Sequence, residues 1–244
     1  MRLLSVICLL AVSCHCSLMK QGVKADATEP TNPPLVSAPA TPVADGAAVP
    51  APMPEKVTIN IGHIDSETVP SIIALIDKIK KEGTVKELYF KINSTGGEVE
   101  TGNDLIDAIE QAGIPTVCVA DHQASSMALA VLESCDKRYM TKRTFLMAHE
   151  IMASGVVGNE HQLEQEVETL RVLNRAMMEH LAARTGMSIE KLLAKTNNKM
   201  WFMNWPEALK VHMVDGIWKD VRTMPPVVEP APAGEDALKA LLGL

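Results

Sequence analysis

Aromatic side chains make up only 3% of the 244 residues, no stretch is rich in lysine and arginine, and three of the five cysteines are crowded at Cys8, Cys14 and Cys16. Each shortage excludes something. Without aromatics there is no platform for bases to stack on. A net charge of −7 with no basic stripe lacks the electrostatic footprint of a nucleic-acid partner. The remaining cysteines, Cys118 and Cys135, are too few for a disulfide framework, and Cys118 lies in an apolar strand-like run, where it reads as a buried small hydrophobe. No apolar run reaches the roughly 20 residues a membrane-spanning helix needs. No pair among the seven histidines has metal-ligand spacing beside acids, so neither a metal nor another cofactor is expected. Aliphatic residues and fourteen methionines must supply the core.

The length suits one core domain with tails. Residues 1–20 read as an export leader, with Arg2 as the early positive charge and an apolar stretch over 3–12. That stretch ends in Ala11-Val12-Ser13-Cys14, which resembles a bacterial lipoprotein cleavage box with Cys14 as the lipidated residue; the usual leucine sits one position early, at Leu10. Residues 21–55, rich in Pro, Ala, Thr and Val without helical or strand period, read as a flexible tether. The tail over 223–244 has the same character, with Leu238, Leu241 and Leu242 marking a short amphipathic turn.

Between them, over 56–222, strand and helix patterns alternate. Strands are expected at 57–61, 88–92, 115–120, 139–140 and 145–148. Helices are expected at 69–81, 99–112, 125–134, 158–184 and 189–195. Pro70 suits a first helical turn, and Gly83 and Gly113 suit helix C-termini. The alternation predicts an α/β fold with a largely parallel sheet and helical crossovers.

Three segments each follow a strand, on the sheet edge where α/β sites are built. They are Asn93-Ser-Thr-Gly-Gly97, Gln123-Ala-Ser-Ser126-Met127 and His149. Ser126 is expected in the first turn of an apolar helix, near unpaired backbone N–H groups and the positive end of the helix dipole. Gly96-Gly97 lets backbone approach a substrate and aim an N–H at an oxyanion. Each segment also has a plain structural reading: a serine N-cap, a tight turn, a hydrogen-bonded histidine.

Taken in order, the three segments resemble the ClpP-like serine peptidases of the ClpP/crotonase fold. The resemblance runs from about Val57 to Val221 and takes in Thr185-Gly186-x-Ser188 and Pro206-Glu-Ala-Leu…Val214-Asp-Gly-Ile217. It implies a sheet built from repeated strand-strand-helix units and a long handle-type helix. It also implies Ser126 as nucleophile, His149 as general base and the N–H groups of Gly97 and Met127 as an oxyanion hole. The partners implied are peptide or unfolded-protein substrates and further copies of the chain in a homo-oligomeric ring. The handle helix carries Leu163, Val167, Leu170 and Leu173 as an apolar stripe suited either to ring packing or to the chain's own core. Family members take substrates from an ATPase ring, but export would separate this chain from ATP, so that partner is not expected.

One position departs from the pattern. Anchored on Pro206, the family's catalytic aspartate falls on Met200, which cannot orient an imidazole. Asn198 or Asn197 is the nearest hydrogen-bonding substitute, as an asparagine is in papain-like triads. Glu150 is disfavoured, because neighbours in an extended stretch point to opposite sides. The alternatives are a catalytically silent ring or scaffold, a Ser–Lys pair with Lys142 as in signal peptide peptidases, and a crotonase-like acyl-CoA enzyme.

Overall fold

A computed structural model describes residues 52–232, so the leader, Cys14, most of the tether and the terminal segment from 233 lie outside the described residues. Within them, β1 (Lys56–Ile61), β2 (Glu87–Ser94), β3 (Thr116–Ser125), β4 (Lys137–Met140) and β7 (Gly216–Ile217) form a sheet in the order β1-β2-β3-β4-β7. Every pairing on this path is parallel. The crossovers are α1 (Val69–Glu82) and α2 (Val99–Glu110). In α1 the residues Val69, Ile72, Leu75, Ile76 and Ile79 recur at helical spacing and bury one face. Gly83, at φ 67°, ends it by donating its N–H to the Ile79 carbonyl at 3.1 Å. Among the described residues no helix is long and apolar enough to cross a membrane.

The site depends on how β3 changes neighbours. Residues Val117 to Ala120 pair with β4, whereas Gln123 to Ser125 pair with β5 (Phe145–Ala148). Between the two lies His122, with φ 72°. Strand β5 in turn pairs antiparallel with β6 (Trp201–Met203). The expected helix start at residue 125 is thereby corrected. Ser125 still belongs to the β3 ladder, and α3 (Met127–Glu133) begins only after Ser126. All seven residues of α3 are buried.

Two further expectations are corrected. Cys118 is fully buried as expected, but it is bonded to Cys135 as a disulfide with Cα atoms 5.7 Å apart. The turn after α3 carries Cys135 back over β3, within reach of Cys118. The domain does not close at residue 222 either. The 3₁₀ turn Val221–Thr223 leads into a strap that lies along the open edge of β1. Thr58 donates its N–H to the Pro226 carbonyl at 2.9 Å and accepts the Val228 N–H at 2.8 Å. Its hydroxyl donates to the Pro225 carbonyl at 2.8 Å. An edge strand exposes a row of unpaired backbone groups, and the strap satisfies those of Thr58, in the middle of β1. On the way, Trp218, Val221 and Met224 cover Tyr89, Val117 and Val119. The Trp218 ring stands edge-on to Tyr89 and Tyr139 at 6.1 and 5.5 Å.

The long helix α4 (Glu160–Thr185) opens on a capping box between Asn159 and Gln162 and ends at Gly186, at φ 66°. Only Met178, Leu181 and Thr185 are buried, all near its C-terminus. Leu163 and Val167, in the expected apolar stripe, are 42% and 46% exposed, so this chain's own core does not cover them. The exposed pairs Arg171–Glu168 and Arg175–Glu179 add little, since such pairs contribute about 0–1 kcal/mol. Helix α5 (Ile189–Thr196) packs against α4 and buries Leu192, while α6 (Trp205–Lys210) packs beside β6 and buries Ala208.

Candidate active site

The Gly-Gly segment is held in a conformation that a residue with a Cβ would not permit. Gly96 and Gly97 have φ of 99° and 155°. A Cβ on Gly96 would lie 2.7 Å from the Ser125 carbonyl oxygen, and one on Gly97 would collide with the Ile64 carbonyl. Two backbone bonds clamp the loop: Ile64 N–H to the Gly96 carbonyl at 3.1 Å, and Glu98 N–H to the Ile64 carbonyl at 2.9 Å. The buried Ser94 hydroxyl accepts the Gly96 N–H at 3.0 Å. The Gly97 N–H has no partner among the described residues.

Ser126 occupies the elbow between β3 and α3 with φ 56° and ψ −128°. A non-glycine residue there stores on the order of 1–3 kcal/mol, and such strain persists only where the surroundings over-determine it. The surroundings here are the β5 ladder, whose Met147 carbonyl accepts the Ser126 N–H at 2.8 Å, and α3, whose Leu129 N–H binds the Ser126 carbonyl at 2.9 Å. The elbow leaves the Met127 N–H without a partner among the described residues, beside that of Gly97. The far end of α3 is anchored by charge. Arg138 donates to the fully buried Glu133 at 2.5 Å and to Asp215 at 2.6 Å. Burial pushes the Glu133 carboxyl up to about 8, with Arg138 pulling it part of the way back. Its second oxygen has no partner among the described residues.

Register places His149 and its neighbour. Ser125 pairs with Met147 in the parallel ladder, so the chain just past both strands carries Ser126 on one side and His149 on the other. Ala148 pairs with Trp201 in the antiparallel ladder, so His149 and Met200 are the residues just past its last rung. The position expected for the aspartate lines the same cavity as the histidine, and a thioether stands there. No hydrogen bond joins a side chain to His149, or Ser126 to His149, among the described residues.

Ser126, Met127, Gly97, His149 and Met200 line one cavity of about 320 Å³. Its remaining wall is apolar and rich in methionine, including Met147, Met152, Met177 and Met178. A concave apolar wall with a few convergent polar groups is the usual form of a binding site for a small group or side chain. Two sequence candidates lie elsewhere. Asn198, at φ 51°, donates its backbone N–H to Glu150 at 2.9 Å, and its side chain makes no bond to His149 among the described residues. Lys142 lies over the Trp205 ring and lines a separate basic cleft with His122 and Arg143, so the Ser–Lys arrangement does not form. The methionine wall went unread in the sequence because α4 residues that face a cavity look like those that face a core.

The geometry agrees with the order of motifs that the sequence resemblance rests on. Residues 52–221 match the model of the Clp protease family, which covers more than half of the chain, and the chain belongs to that family.

Proposed function

We propose that the chain is a serine endopeptidase in which Ser126 attacks a peptide carbonyl and His149 is the general base. The observation that carries the reading is the meeting of Ser126, His149 and two unpartnered N–H groups, those of Gly97 and Met127, around one apolar cavity. The imidazole accepts the hydroxyl proton as the oxygen attacks, then returns it to the leaving amine. The oxyanion of the tetrahedral intermediate lies between the two N–H groups, whose fixed positions need no reorganisation as charge develops. Water then releases the acyl-enzyme. With methionine at position 200, the imidazolium lacks a carboxylate partner. Where the wrong tautomer results, that loss costs on the order of 10⁴ in turnover. The enzyme is accordingly slow. The expected outcome is measurable hydrolysis of an unstructured peptide by the wild-type chain and none above background by Ser126→Ala.

A second reading, a silent scaffold, is favoured by Met200 and by the absence of a Ser126–His149 hydrogen bond. Wild-type hydrolysis no greater than that of Ser126→Ala decides for it.

Setting and assembly belong to the same proposal. The chain works outside the cytoplasm, in the cell envelope, tethered through residues 21–55 and lipidated at Cys14. The Cys118–Cys135 disulfide supports this setting, since such bonds persist in oxidising compartments. It assembles as a homo-oligomeric ring, for which the uncovered Leu163 and Val167 of α4 are suited. No ATPase serves it there.

A further inference from the structure

If His149 is the base, something other than a triad carboxylate must hold its ring in place. We infer that Asn174 and Glu150 position His149, by pinning the chain just past it between α4 and the 196–200 loop; the inference rests on the peptidase reading above. The histidine sits where the β5 ladder ends. Ala148 is the last residue paired with β6, and the residues after Glu150 carry no ladder bonds until α4 begins. A chain end released in that way would leave the imidazole free to wander.

Two side-chain contacts prevent it. Asn174, on the cavity side of α4, accepts the Ile151 N–H through Oδ1 at 2.6 Å. Glu150 accepts the Asn198 N–H through Oε2 at 2.9 Å. The first bond ties the residues just past His149 to the helix whose Met177, Met178 and Leu181 form the cavity wall. The second ties the residue next to His149 to the loop that carries Met200. Asn198 adopts a left-handed conformation to present its N–H, a cost accepted locally to make the bond. Together the contacts fix the 149–151 backbone against α4 on one side and the 196–200 loop on the other. They set the position of the imidazole, while the tautomer is left to solvent and substrate. Glu150 thus acts through the backbone and not as a triad acid, in keeping with its bond to the Asn198 N–H.

The test uses the full-length chain. Acylation of Ser126 by a fluorophosphonate and turnover of a peptide substrate are measured for wild type, Asn174→Leu, Asn174→Asp, Glu150→Ala and Glu150→Gln. Leucine keeps the heavy-atom count and branching of asparagine but accepts no hydrogen bond, whereas aspartate and glutamine keep the accepting oxygen. A misplacement of about an ångström at a reacting group costs up to about 100-fold, so Asn174→Leu and Glu150→Ala are expected to lose about 10- to 100-fold in acylation and kcat. KM should stay within about twofold and the melting temperature should hold, because the cavity wall is untouched. Asn174→Asp and Glu150→Gln should recover most of the rate. Wild-type acylation with no loss in Asn174→Leu and Glu150→Ala, or a loss that the conservative variants do not rescue, overturns the positioning role and leaves the peptidase reading standing. A wild type that is not acylated at Ser126 overturns both.

Discussion

Met200 and His149 are the residues just past the last rung of the β5–β6 ladder, Ala148 with Trp201, and both line the cavity that holds Ser126. A thioether accepts hydrogen bonds weakly and carries no charge, so it neither selects a tautomer nor stabilises the imidazolium. Met200 is also half-exposed, so an aspartate there would keep its hydration and remain ionised. Met200→Asp is therefore expected to raise the rate of Ser126 acylation by at least about ten-fold, a fraction of the effect of a triad carboxylate. Stopped acylation assays against the wild type check this, and an unchanged rate would mean that residue 200 does not face His149 in the working enzyme. Ser126 itself shows what a residue can hide. Its motif is legible in the sequence, but its positive φ is not, because nothing in a serine marks the strained elbow that β5 and α3 impose on it.

The elements divide by length. Helices α1 and α2 are legible because their apolar residues complete several turns of a 3.6-residue period, and Gly83 marks the end of the first. Strand β6, helix α6 and strand β7, at three, six and two residues, are too short to display a period. The strap at 225–229 is illegible for another reason. Its composition is that of a linker, and only the unpaired edge of β1 gives it a place. Asn174 is one polar residue on a long polar-faced helix, and no local pattern separates it from its neighbours. The disulfide is a contact between elements 17 residues apart, and sequence cannot distinguish its cysteines from two buried thiols. That bond has a measurable consequence. Closing a loop of this length stabilises the folded state by about 3 kcal/mol. For a domain of this size each kcal/mol moves the melting temperature by about 2–4 °C. Reduction, or the pair Cys118→Ala and Cys135→Ala, should lower the melting temperature by roughly 6–12 °C in differential scanning calorimetry. A shift near zero would mean that the α3 turn holds its place without the bond.

For the molecule as a whole, the buried Glu133 carboxyl at the base of α3 ties stability to pH. Folded, Glu133 keeps its proton up to about pH 8, because burial disfavours the carboxylate more than Arg138 favours it. Unfolded, it releases the proton near 4.5. The folded state therefore binds more protons across that interval, and the Glu133 contribution to stability is full below it and lost as pH rises toward 8. Urea unfolding between pH 5 and 8 should show this decline, and Glu133→Gln, which stays neutral, should flatten it. A Glu133→Gln curve parallel to wild type would place the ionisation elsewhere. At the same scale, the parallel sheet, the order of its crossovers and the convergence of three separate segments on one edge were all legible in the sequence. Each segment follows a strand, and strand ends meet there. The proposed catalytic site rests on the reactivity of Ser126, and the most direct measurement is fluorophosphonate labelling of the purified chain with the adduct mapped by peptide mass spectrometry. One adduct is expected, on Ser126, absent in Ser126→Ala and strongly diminished in His149→Ala. No adduct on the folded wild type, or one that persists in Ser126→Ala, would contradict it.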